Sequence, residues 1–201
     1  MKFIFKFSAI FFAPIILGFY FLGLIHWDLS IPLVYSMTGG DDIWQLILTK
    51  VVVDTGWALV NPFMGAPGIA DWHYHSAAQT SALHSVIMLG LSAFIDDAVK
   101  VQQIYYLLNF GLITASSYLF CRTFRLHPFV SFCIGLLYSF TTFRINMMFY
   151  AYLANYFFIP LALIPVYWTL RGDFADTGKP DSNSVRKKTY ITNKKFLYSA
   201  V

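Results

Sequence analysis

Two neighbouring aspartates, Asp41 and Asp42, are the side chains in this sequence best placed to do chemistry. They follow a Thr-Gly-Gly segment at 38–40 and precede an apolar-rich run at 43–53. A carboxylate in such a position can act as a general base or bind a divalent metal. The alternative is structural, because a threonine followed three residues later by an acid resembles a capping box. The sequence leaves both interpretations open.

Arg144 is the candidate for binding a phosphate. It stands between Phe143 and Ile145, at the outer end of a long apolar run. A guanidinium can hold a phosphate through two parallel hydrogen bonds. The alternative is an arginine whose aliphatic stem lies along lipid while its charged end reaches the interface.

A third set, Asp71, His73 and His75, contains side chains that can ligate a metal. Two histidines at this spacing share a face only on a strand, and no further ligand follows at a suitable distance. Ordinary interfacial histidines are therefore the favoured interpretation. The cofactor is left unknown, with a divalent metal still open. The sequence has no glycine-rich nucleotide fingerprint, and no nucleic-acid partner is predicted.

The elements that must position these residues are membrane helices, since 58% of the chain is hydrophobic and only 12% is charged. We predict an all-α, polytopic transmembrane bundle with about four spanning helices and a large outer loop, 26–98, that carries membrane-surface helices. A span needs about 20 apolar residues. The predicted spans are 7–25, 101–121, 128–148 and 152–170. A fifth run, 83–95, is short for a span and suits an interfacial or re-entrant helix.

The distribution of lysine and arginine favours four crossings over five. With four, both chain ends face the cytoplasm, and the basic residues left outside are Lys50, Lys100 and Arg144. A fifth crossing would move Arg122, Arg125 and the whole basic tail outside, against the positive-inside rule. The predicted location is the plasma (inner) membrane, with membrane lipids as partners.

Two further segments complete the predicted organisation. In the outer loop, Asp42, Gln45 and Thr49 would line a polar stripe of a helix lying on the membrane surface. Residues 172–195 are predicted to form a basic cytoplasmic loop or tail. Residues 196–201 resemble the start of a further helix, so we expect the sequence to be a fragment of a larger protein.

Several short segments, in order along residues 1–171, are similar to a known family. The segments are Gly40-Asp41, Lys50, Asp54-Thr55-Gly56-Trp57, Asn61-Pro62-Phe63-Met64-Gly65-Ala66-Pro67, 109–122, 136–140 and 155–161. This set resembles polytopic membrane proteins with the GT-C glycosyltransferase architecture, a largely uncharacterised group. The resemblance implies a first helix, a large outer loop and a helical bundle.

The resemblance also implies transfer of sugar from a polyprenyl-phosphate carrier to a glycan or lipid acceptor on the outer face. The position that matches the family's base or metal-binding acid is Asp41, with Asp42 beside it. In the outer link, where the family often has a histidine, this chain has Met147-Met148-Phe149-Tyr150. The alternative is a non-catalytic polytopic membrane protein, with a structural, assembly or lipid-transport role, since fold does not fix function.

Overall fold

The computed structural model describes residues 2–24, 28–31, 41–57, 59–62, 70–71, 82–147 and 151–171. This part of the chain is mostly helical, which confirms the all-α class at its coarse level. The elements are α1 Lys2–Phe21, α2 Asp41–Thr55, β1 Val60–Asn61, β2 Ala70–Asp71, α3 Ala82–Ser92, α4 Ala98–Thr123, α5 Pro128–Ser139, α6 Thr142–Asn146, α7 Ala151–Ala154 and α8 Phe158–Leu170. The two strands pair antiparallel.

Two helical stretches of the described residues are long and apolar enough to cross a membrane. They are Ala98–Thr123 and Pro128–Asn146. The second stretch joins α5 and α6 across a break at residues 140–141. Shorter apolar helices cover Ser8–Phe21, Ala82–Ser92 and Phe158–Leu170. Two of the described helices are long and apolar enough to cross a membrane. The four crossings therefore stay a prediction.

The chain forms two compact units. The larger unit contains residues 15–110 and 140–156, and the smaller unit contains residues 1–14, 111–139 and 157–201. The helix α4 begins in the larger unit, where the side chain of Asp97 caps it. Asp97 Oδ1 accepts hydrogen bonds from the backbone N–H groups of Val99 at 2.8 Å and Lys100 at 3.1 Å. An acid at this position satisfies backbone donors that the first helical turn cannot pair.

Packing between α2, α3 and α4 forms one core of the larger unit. Its buried apolar residues are Leu48, Val51, Val52, Met88, Val101 and Tyr105. The spacing of three and four residues along α2 places its apolar members on one face. A second buried cluster contains Leu24, Tyr106, Leu107, Phe110 and Ala154. The two clusters fix α4 against its neighbours within this unit.

The predicted polar stripe of α2 is buried at two of its three residues, and the side chain of the third, Asp42, lies outside the described residues. Gln45 and Thr49 are 3% and 1% exposed and lie on the buried side of the helix. Thr49 Oγ1 donates to the carbonyl of Gln45 at 2.9 Å and lies 3.4 Å from the sulfur of Met88 on α3. The prediction of an exposed stripe is wrong for these two residues, because the threonine hydroxyl is satisfied by its own helix and can pack inward.

In the smaller unit, α5 packs closely against α4 through a stripe of small residues. Ser131, Gly135 and Ser139 recur every four residues and are buried. Thr114 Oγ1 on α4 donates to Ser139 Oγ at 3.0 Å, with the carbonyl oxygen of Gly135 3.4 Å away. Small residues let helix backbones approach in this way in membrane proteins.

We expect Gly135→Ala to lower the free energy of unfolding by about 1–3 kcal/mol, which is the typical cost of overpacking. A Cβ at this position would lie 2.7 Å from the backbone oxygen of Thr114, which cannot move aside as a side chain could. Thermal melting of the detergent-solubilised protein measures the effect. The matched control is Gly90→Ala in α3, where a Cβ meets nothing within 4 Å. That change should stabilise the helix slightly, and an equal loss in both variants would contradict the packing argument.

Candidate functional site

The predicted site residues are Asp41, Asp42 and Arg144, and the structure describes the side chain of Arg144. It lies in α6 and is 0% exposed. Its Nε donates to the carbonyl of Ala154 at 3.1 Å, and its Nη2 donates to the carbonyl of Tyr106 at 2.8 Å. A snorkelling arginine keeps its charged end exposed. The interpretation of Arg144 as a snorkelling interfacial residue is therefore wrong.

Two aromatic rings on α4 enclose the guanidinium of Arg144. Its central carbon lies 3.6 Å from the ring centroid of Phe110 and 4.3 Å from that of Tyr106. Desolvated contacts of this kind contribute about 2 kcal/mol or more. They offset part of the large cost of removing a charge from water. Arg144 thus holds α6 and the end of α7 onto α4.

Local hydrogen bonds set the direction of α6. Thr141 is the N-cap residue, and its Oγ1 accepts from the backbone N–H of Arg144 at 3.4 Å. The same hydroxyl lies 2.8 Å from the hydroxyl of Tyr156. The cap starts the helix so that Arg144 falls in its first turn, facing α4. Tyr156 ties the segment after α7 to this cap.

The contacts of Arg144 bear on its predicted role. Two of its nitrogens donate to backbone carbonyls, and its central carbon lies over two aromatic rings. In this arrangement Arg144 positions the surrounding elements. Binding of a phosphate by Arg144 stays a prediction, and it requires the guanidinium to become accessible.

Asp41 and Asp42 are the first two residues of α2. They stand where the partial positive charge of a helix N-terminus favours carboxylates. Their side chains, and Thr38, lie outside the described residues, so the catalytic and the capping interpretations both stay predictions. Asp41, Asp42 and Arg144 all belong to the larger unit.

The described residues contain no candidate metal-binding site. Within them, no three His, Cys, Asp or Glu residues come together in a way that could hold a metal ion. His73 and His75 lie outside the described residues. The divalent metal therefore stays open.

His84 is a buried histidine whose burial the sequence did not indicate. It lies in α3, is 4% exposed, and hydrogen-bonds through Nδ1 to the hydroxyl of Tyr105 on α4. Burial disfavours the imidazolium and lowers the pKa of His84 to about 4. His84 is consequently neutral at neutral pH and serves as a polar link between α3 and α4.

The stability of the protein should fall as the pH drops from 7 to 4. An unfolded histidine titrates near pH 6.5, so below that pH the unfolded chain binds a proton that folded His84 does not. Folding should therefore lose about 2 kcal/mol from this residue at pH 5. Melting temperatures of His84→Gln and the parent, measured from pH 4 to 7.5, test this. The variant should flatten the curve relative to the parent. An unchanged slope in His84→Gln would contradict the assignment.

Two buried asparagines, Asn109 and Asn155, are also part of this region. Both are 0% exposed. In the sequence both stand out as members of the family-like segments, and Asn109 also as a polar residue that could link membrane helices. A usable signal was present, because an amide inside an apolar run is costly to bury and is usually retained for a function.

Comparison with known proteins finds no matching family model, no similar curated protein and no similar solved structure.

Proposed function

We propose that the chain belongs to a membrane glycosyltransferase of the GT-C type. In this proposal it transfers sugar from a polyprenyl-phosphate carrier to an acceptor on the outer face of the plasma membrane. The topology is the four-crossing one, with both ends cytoplasmic. Asp41 or Asp42 is the general base or a metal ligand.

Exposed apolar side chains support a membrane location. Phe129 and Leu137 on α5 are 68% and 73% exposed, and Leu170 on α8 is 83% exposed. Large contiguous apolar surfaces on a protein mark contact with a partner or a membrane. Both helices are apolar along their length, which favours lipid as the partner.

The observation that carries the proposal is the grouping of the candidate residues. The acids that begin α2 and the cation in α6 are far apart in the chain but share one compact unit. Sugar transfer from a phosphate carrier needs a base near the acceptor hydroxyl and positive charge near the departing phosphate. In this unit the acids at the start of α2 offer the base, and Arg144 offers the positive charge once its buried guanidinium becomes accessible.

The burial of Arg144 favours a second candidate function. A guanidinium held by two carbonyls and two rings is already committed to structure, which suits a non-catalytic membrane protein with an assembly or lipid-transport role. In that case the acids at the start of α2 act as helix-terminal residues.

Sugar transfer in membrane vesicles tests the proposal. Vesicles with and without the full-length protein are incubated with radiolabelled polyprenyl-phosphate hexoses, and label in the lipid and glycan fractions is counted. Transfer that requires the protein supports the enzyme. Absence of transfer with every donor, in vesicles that contain folded protein, favours the non-catalytic role.

A further inference from the structure

Three buried side chains near Arg144 have polar atoms without a hydrogen-bond partner among the described residues. Asn155 has neither its Oδ1 nor its Nδ2 paired. Asn109 uses its Nδ2 to donate to the carbonyl of Tyr105 at 2.8 Å, but its Oδ1 is unpaired. The hydroxyl of Tyr106 is unpaired as well. Asn109 and Asn155 are 0% exposed and Tyr106 is 5% exposed, so bulk water does not satisfy these atoms.

The contacts of Arg144 bring Tyr106 and the segment at Asn155 into one region of the larger unit, and Asn109 lies within one turn of Tyr106 on α4. Tyr106 supplies both a carbonyl acceptor and a ring contact to the guanidinium. Asn109 lies three residues further along α4, on the same side of the helix as Tyr106. Asn155 directly follows Ala154, whose carbonyl accepts from Arg144 Nε at 3.1 Å. Tyr106 contacts Arg144 itself. Asn155 is one residue away from a residue that contacts Arg144, and Asn109 is one helical turn away from such a residue.

The chemistry of the unpaired atoms indicates what they would bind. The two amide oxygens accept hydrogen bonds, the Nδ2 of Asn155 donates, and the Tyr106 hydroxyl does either. A phosphate only accepts, so it would leave both amide oxygens unpaired. A ring that carries hydroxyl groups donates and accepts, and it can satisfy the whole set. A buried polar group without a partner needs an explanation, such as an internal water, an ion or a functional role.

We propose that Asn155, Asn109 and Tyr106 form a subsite for the hydroxyl groups of the carrier-linked sugar, with Arg144 as its positioning residue. This inference rests on the proposed function, because it takes the ligand to be the sugar of a lipid-linked donor. In this subsite the uncharged side chains bind the sugar ring, and Arg144 fixes the two chain segments that carry them. Because all three side chains are buried, the sugar enters only when the packing around Arg144 opens, as phosphate binding by Arg144 would also require. The subsite would determine which hexose is accepted.

Binding of two lipids by the solubilised full-length protein tests the subsite. The probes are polyprenyl phosphate and polyprenyl-phosphate glucose. They differ in the sugar and in the phosphate, which is a monoester of up to two negative charges in the first lipid and a diester of one charge in the second. The parent should bind the sugar-bearing lipid about tenfold more tightly or better. Asn155→Leu should reduce this ratio to about one and leave the affinity for bare polyprenyl phosphate unchanged. Without lipid the variant should melt no lower than the parent, because it buries no unpaired amide.

Two further variants keep the test decisive. Tyr106→Phe removes only the hydroxyl and retains the ring that contacts Arg144, so it should lower the sugar preference several-fold even if Asn155→Leu fails to fold. Ser117→Ala is the matched control. Ser117 is also buried with an unpaired hydroxyl, but it belongs to the smaller unit. It should leave the preference unchanged.

The outcomes separate the subsite from the proposed function. No preference for the sugar-bearing lipid in the parent, or an unchanged preference in both Asn155→Leu and Tyr106→Phe, overturns the subsite and assigns these atoms to internal water. A preference that both variants remove supports the subsite even in a protein that transfers no sugar. Transfer by a parent whose sugar preference resists both substitutions supports the enzyme and rejects this subsite.

Discussion

Replacing Asp41 with asparagine should slow sugar transfer by roughly 10²–10⁴-fold, the contribution typical of a general base. The amide is close in size to the carboxylate and remains a good capping group, but it cannot accept the acceptor's proton. Asp41 is the first residue of α2. The loss of its charge there should cost only about 0.3–1 kcal/mol of stability. Initial rates in vesicles, at equal amounts of folded protein, provide the measurement.

Asp54→Asn is the matched control, since Asp54 lies at the other end of the same helix. Its carboxylate pairs with Lys50 at 2.9 Å. Loss of an exposed pair of this kind changes stability by less than about 1 kcal/mol, and transfer should remain at the parent's rate. Asp42→Asn shows whether the neighbouring acid shares the role. Full transfer by Asp41→Asn would leave Asp41 with a capping role and remove the base from the proposed site.

Hydropathy predicted the elements that are long and continuous. The apolar run 101–121 lies within α4, and the run 43–53 lies within α2. Such patterns are local, so the sequence contains them in full. The helix boundaries near residues 140 and 155 were harder to predict, because the breaks between helices there depend on single interactions. The cap formed by Thr141 and its contact with Tyr156 is one of them.

Contacts between distant segments could not be predicted from one sequence. Arg144 donates to a carbonyl 38 residues away in the chain, and no local pattern specifies that partner. For the same reason Gln45 and Thr49 were assigned to the polar stripe of a helix lying on the membrane surface, although both are buried and Thr49 contacts Met88 on α3. The same limit applies to the candidate site. Residue types in the sequence indicated Asp41, Asp42 and Arg144, whereas the buried amides without a hydrogen-bond partner near Arg144 could be recognised only from the structure.

Replacing Arg144 with methionine should lower the free energy of unfolding by at least about 3 kcal/mol. The carbonyl of Ala154 would lose this donor, and a buried acceptor without a partner costs about 1–3 kcal/mol. The carbonyl of Tyr106 would lose its second donor but keep the N–H of its own helix. The contacts of the cation with the rings of Tyr106 and Phe110, worth about 2 kcal/mol, would also be lost. The methionine restores volume and apolar contact, but it cannot donate. Arg144→Lys should fall between the parent and Arg144→Met, because one ammonium cannot reproduce the planar fork or its stacking on Tyr106 and Phe110. Thermal melting in detergent measures all three proteins.

Arg171→Met supplies the control for removing an arginine, since Arg171 is exposed at the end of α8. It should change stability by no more than about 0.5 kcal/mol. Affinity for bare polyprenyl phosphate, measured well below each melting temperature, then separates two roles for Arg144. A positioning residue predicts a large fall in the melting temperature of Arg144→Met, with the affinity for phosphate retained in both variants. A phosphate ligand predicts the reverse: the affinity falls in Arg144→Met, is partly kept by the ammonium of Arg144→Lys, and both variants melt near the parent. The burial of the guanidinium and its two carbonyl partners favour the first result.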